Sequence, residues 1–386
     1  MTETSQPTFF TDLNTALNDG GVEPMLERLA DHLRGQKQHR ELFEVLKMQI
    51  RQRLGMNLLQ ELDGPLDDAT EKLLEEGLLE ACREVGTRML QAGEVRDGWT
   101  CLRPVCDRAE AQKLIAEIEV DEDNLEEIVE VCLHEGVDPE RGYALVLEHY
   151  GTCNSITTLE SAMYHLSRAD QQKTTSLLLR HVHRELREAV AADIAQQEGQ
   201  QPAETTLREL IADREWLFGE HSYHIDTTHL ASTVKFSRVL QSEEDLRTAL
   251  DLTTYGRRLN EQFQYQGDEP FTDIYPSHAL FFQALLGENL NEATAYFRTK
   301  AERVDAYQQG AMSIEVYVDL LARLGRPQEA LEAAITLTPD NVHPVGYAPS
   351  LLELAEQAGE FDRLLEHYRQ RGELMNYAVS LAYSAK

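Results

Sequence analysis

The chain has 386 residues, with 36 Lys and Arg against 68 Asp and Glu, a formal net charge of −32. The length suits two or three compact domains or one repeat array, and an apolar share of 42% argues against a disordered chain. The acidic balance argues against a DNA or RNA backbone, which needs Lys and Arg facing phosphate, and against an anionic membrane surface.

Residues 1–15 are polar. They carry neither a basic region nor an apolar core, so no secretory signal is expected there. No run of eighteen apolar residues occurs, and a cytoplasmic protein is expected. The cysteines are Cys82, Cys101, Cys106, Cys132 and Cys153. The number is odd and none forms a C-x-x-C pair, which suits small buried thiols in a reducing compartment.

The apolar residues recur with period 3.6. Leu26, Leu29 and Leu33, then Leu42, Val45, Leu46 and Ile50, predict two early amphipathic helices. Leu73, Leu74, Leu78, Leu79, Cys82, Val85, Met89 and Leu90 predict a longer one, and Leu177 to Val190 another. No alternating Val, Ile, Thr or Tyr run predicts a strand, so the fold class is all-α. Helix breaks fall at Gly93, Gly136, Gly287, Gly325 and Gly359, each followed within about six residues by a second helix. Glycine suits a helix C-cap because the left-handed conformation costs it little. The recurrence is that of stacked helical hairpins.

The stretch VYVDLLARLGRPQEALEAAITLTPD resembles a tetratricopeptide repeat. Its first helix ends at Leu324, Gly325 turns the chain, Ala330 and Ala334 supply small contacts, and Pro339 follows. LAEQAGEFDRLLEHY, within residues 350–370, is a weaker copy, and LQAGEVRDGWTCLRP is similar again, with Trp99 as the bulky contact. The resemblance implies an α-solenoid of stacked antiparallel helical hairpins. The expected layout is a polar segment at 1–15, a hairpin array at 16–194, a loop at 195–204, and a C-terminal helical region with the TPR-like repeats at 205–386. Thr206 with Glu209 reads as a capping box after the loop. Residues 264–277, with Pro270 and Pro276, read as a second irregular stretch.

Eight of the thirteen His fall between residues 149 and 278. The densest segment, HSYHIDTTHL, holds His221, His224, Asp226 and His229. Two imidazoles and a carboxylate at His224, Asp226 and His229 are a ligand set for Fe, Zn or Mn with open positions, and His221 is a fourth candidate. Asp226 as a helix N-cap would put Asp226 and His229 three apart at a helix start. The plainer alternative has Asp226 capping, His229 bonded to a carbonyl and His221 in solvent. Elsewhere, HVHRE sets His181 and Glu185 on one helix face, and Cys153 has His149 four residues before it. Glu117 to Glu127 carries seven acidic residues, which suit a solvated face or a surface for basic peptides. No nucleotide-loop or hydrolase motif occurs.

Two functions are therefore expected in order. The first is a soluble helical-repeat scaffold that binds a peptide or protein partner on its concave face. The second is a metal-dependent enzyme acting on a small molecule through the His224/Asp226/His229 site, with a metal-bound water as nucleophile or base. The residues alone do not decide whether the chain is an enzyme.

Overall fold

The computed structural model describes residues 6–59, 66–106 and 108–385. Among these residues the chain is helical, with no strand and one isolated antiparallel bridge between Gln266 and Asp273. None of these helices is long and apolar enough to cross a membrane. The contacts divide the chain into two units.

The first unit comprises residues 1–149 and 164–166. In order it contains α1 (Gln6–Gly20), α2 (Val22–Gln36), α3 (His39–Arg53), α4 (Asp68–Gln91), α5 (Val95–Leu102), α6 (Arg108–Ala116), α7 (Leu125–Val129) and α8 (Pro139–His149). A π-helical turn over Glu130–His134 continues α7. The polar segment expected at 1–15 is helical from Gln6; its first five residues lie outside the described residues. Neighbours in sequence pack on one another: α1 on α2, α2 on α3, α3 on α4 and α4 on α5. Leu26, Leu33, Leu42, Val45, Val85 and Met89 fill one core, and Trp99, Leu102, Ile115, Ile128 and Val131 fill the next. Each fully buried Leu, Val or Ile contributes roughly 1.5–3 kcal/mol. The contact of α4 with α5 depends on two glycines. A Cβ on Gly98 would lie 2.9 Å from the Leu90 amide nitrogen, and one on Gly86 would lie 2.9 Å from the Gly98 carbonyl oxygen. Arg34 on α2 ties α2 to α4 through a bidentate pair with Glu84, at 2.6 and 3.0 Å.

The second unit comprises residues 150–163 and 167–386. It contains α9 (Gly151–Ala162), α10 (Arg168–Glu198), α11 (Leu207–Ala212), α12 (Thr227–Phe236), α13 (Glu243–Gly256), α14 (Ile274–Leu285), α15 (Leu290–Arg303), α16 (Ala306–Gln309), α17 (Met312–Arg323), α18 (Pro327–Leu337), α19 (Leu351–Ala358), α20 (Phe361–Arg371) and α21 (Leu374–Ser384). The long α10 touches α9, α11, α12 and α13, burying Leu178, Leu179, Val182, Leu186 and Val190. From α17 onward each helix packs on the next. Gly93, Gly136, Gly287, Gly325 and Gly359 all have φ between +70° and +84°, as the helix breaks require. The loop expected at 195–204 begins later, because α10 runs through Glu198 and Gly199 ends it at φ +74°. That loop lies inside the second unit. Thr206 and Glu209 form the expected capping box.

Candidate functional site

The segment from Gly219 to Asp226 joins a 3-10 turn (Glu215–Phe218) to α12. Asp226 caps α12. Its Oδ1 accepts from the Thr228 hydroxyl at 2.6 Å, the Thr228 amide at 2.8 Å and the His229 amide at 3.4 Å. These bonds, the Thr228 hydroxyl first, hold the Asp226 carboxyl below its ordinary value.

His224 turns inward, with its side chain 6% exposed. Its backbone N–H donates to the Tyr255 hydroxyl at 2.9 Å, its Nδ1 lies 2.8 Å from that same oxygen, and its Nε2 lies 3.0 Å from Asp193 Oδ2. Burial pushes the Tyr255 phenol up, so it keeps its proton. The network is complete when Tyr255 donates to Nδ1 and Nε2–H donates to Asp193. The imidazole thereby pins the 219–226 segment between α10 and α13.

His221 is exposed and His229 half-buried. Among the described residues, no group of three or more His, Cys, Asp or Glu is placed to hold a metal ion. The cup expected from His221, His224, Asp226 and His229 does not assemble. One Asp226 oxygen serves the backbone of α12, and both His224 nitrogens have protein partners. An Fe, Zn or Mn ion would find no gathered donor set there among the described residues.

The other polar segments also have protein partners. His181 Nε2 lies 3.3 Å from Glu185, the pair expected on one helix face, and the Thr152 hydroxyl reaches both. Cys153 is exposed. In the acidic run, Asp121 Oδ1 accepts from the amides of Asp123 and Asn124. Glu130 pairs with Arg96 at 2.5 Å.

An open groove lies elsewhere. A groove of about 1240 Å³ opens among α17, the loop of residues 338–350, and α19 to α21. Its apolar wall comes from Ile314, Val318, Val342, Leu351, Leu374 and Val379; His343, Arg371 and Asn376 supply polar groups. The loop that forms one side is held by Glu315, which is 5% exposed. The Glu315 carboxylate accepts from the amides of Val345 and Tyr347, each at 2.6 Å, and of Ala348 at 3.3 Å. On the opposite side α21 leaves Leu374 81% and Met375 83% exposed. The sequence reading did not single out these residues. A usable signal was the 13-residue connection with Pro339, Pro344 and Pro349, far longer than the turns at Gly325 and Gly359.

No protein-family model, curated protein or solved structure matches the chain.

Proposed function

We propose that the chain is a helical-repeat scaffold of TPR-like hairpins. Its groove beside the 338–350 loop takes an amphipathic segment of a protein partner. The observation that carries this reading is the bare apolar edge of α21, Leu374, Met375 and Val379, beside an open groove. A contiguous apolar helix edge left bare beside a groove marks an interaction surface. The groove's chemistry suits apolar anchors at helical spacing. The net charge of −32 selects a partner with Lys and Arg flanking those anchors. The metal-dependent alternative has no comparable support, since His224 and Asp226 have other partners.

The test is selection from a displayed library of random peptides, followed by calorimetry with the selected sequences. Enriched peptides should share apolar residues three or four apart with basic flanks. They should bind with micromolar Kd, and Met375→Asp should weaken them at least tenfold. Met375 is exposed, so that variant keeps its fold. No enrichment, or binding indifferent to Met375→Asp, would sink the reading.

A further inference from the structure

A helix without charged residues belongs in a core, because it has no face suited to water. Among the described helices of eight or more residues, only α14 and α21 carry no Asp, Glu, Lys or Arg, in a chain that is 27% charged. α14 behaves as its composition requires and buries eight of its twelve residues, Phe281 and Phe282 among them. α21 does not. Of its eleven residues only Ser380 is buried.

One side of α21 packs on α20, where the Tyr377 hydroxyl accepts from Arg369 at 3.0 Å. A second side, with Met375, Val379 and Ser380, lines the groove. A third side does neither. Ala378, Leu381 and Ala382 are exposed and take no part in the groove wall. Helical spacing puts them in one row with Leu374, which stands at the border with the groove. Leu374, Ala378 and Leu381 lie at i, i+4 and i+7, and Ala382 is four past Ala378. Leu381 is 49% exposed. A segment seated in the groove would leave this row in water.

Charge decides between the occupants. A basic partner is drawn to acidic surface, and this row offers it no carboxylate. A second copy meets the opposite condition. Two copies of net charge −32 repel wherever their charged surfaces face, and a two-fold contact sets one patch against the same patch. The α21 row is a surface on which such self-contact apposes no charge. Its alanines let two helix axes approach closely, with the leucines on either side. One pair of three-turn helices buries less than the roughly 1,200 Å² of a stable interface, so the association is weak and reversible.

We propose that Leu374, Ala378, Leu381 and Ala382 of α21 pack on the same row of a second copy of the chain, forming a two-fold dimer in which the groove side of α21 stays free.

The experiment is sedimentation equilibrium of the full chain, from micromolar to near-millimolar concentration, at low and high salt. The mass should rise from that of one chain toward that of two, with a Kd on the order of 100 μM. Added salt should strengthen the association, because it screens the repulsion between the acidic copies. Ala378→Glu sets like charges against each other at the contact and keeps a good helix former, so it should weaken the dimer at least tenfold. Ala382→Glu repeats the test at a second position, and circular dichroism checks that each variant folds. Both variants should bind groove peptides as the parent does, since neither position lines the groove. Failure of the dimer and failure of the groove reading are thus read separately. A chain that stays monomeric at the highest concentration in high salt, a dimer weakened by salt, or a dimer indifferent to the variants would overturn the proposal.

Discussion

His224 and Tyr255 are joined twice. The backbone amide of His224 and its Nδ1 meet the same phenolic oxygen, at 2.9 and 2.8 Å. His224→Ala would leave that oxygen buried with no acceptor for its proton, and would free Asp193. A loss of about 2–3 kcal/mol is expected from the cavity and the unmet donor. Tyr255→Phe should cost about 1–2 kcal/mol. The double variant should fall short of the sum, because both remove one network. Urea unfolding of the four proteins measures this. A bound metal lost in His224→Ala, with stability unchanged, would instead restore the metal cup.

Asp226 gives stability a pH dependence of known sign. Its folded pKa is lowered by the Thr228 hydroxyl and the α12 amides. A lowered carboxyl contributes above its unfolded value, about pH 4, and the contribution is lost as pH falls through the folded value. Asp226→Ala should therefore cost about 1 kcal/mol at pH 7, the usual worth of an N-cap. The difference should shrink below about pH 4. Asp226→Asn should keep most of the cap at pH 7. An Asp226→Ala deficit that stays constant down to pH 3 would contradict the capping role.

What was legible in the sequence was local. Helix periodicity depends on residues three and four apart, and a helix end at positive φ needs one glycine, so Gly93, Gly136, Gly325 and Gly359 could be placed beforehand. The cap at Asp226 is equally local. The partners of His224 are not: Asp193 lies 31 residues before it and Tyr255 31 after, on helices whose packing no spacing rule specifies. With three His and an Asp within nine residues, the local pattern admitted a metal cup beside the plainer reading of a capping Asp226, and only the distant partners of His224 distinguish the two. Glu315 was invisible for another reason. Its partners are backbone amides, which every residue but proline has, so no side-chain type announces them. Residues 195–198 read as loop because they are polar. Ala195, Gln196, Gln197 and Glu198 are nonetheless good helix formers, and the helix ends at glycine instead.

Glycines in the first unit should respond to methylation in opposite directions. Gly98→Ala puts a Cβ 2.9 Å from the Leu90 backbone, which α4 and α5 relieve only by separating. Destabilisation of about 1–3 kcal/mol is expected, as in overpacked cores. Gly35 lies exposed in the last turn of α2 with nothing within 4 Å. Gly35→Ala should stabilise by about 0.5 kcal/mol, through the unfolded chain's lost freedom. Urea midpoints decide both; equal effects of one sign would contradict the Gly98 packing.

Glu315 should govern the order of the loop that walls the groove. Its carboxylate takes three amide protons in a nearly closed site. Glu315→Gln keeps the shape but turns one oxygen into a donor that faces donors. A loss of about 2–3 kcal/mol is expected, since a buried charged acceptor is removed and amides are left unmet. The effect should be local first, because the loop makes one connection while the helices beneath it keep their packing. Hydrogen exchange at Val345, Tyr347 and Ala348 should accelerate at least tenfold, while amides in α17 and α18 keep their protection. Peptide binding in the groove should weaken in parallel, because the loop wall must be ordered again on binding. Unchanged exchange at those three amides would show that the loop is held by something other than Glu315. Faster exchange with unchanged peptide affinity would place the binding surface on α21 alone.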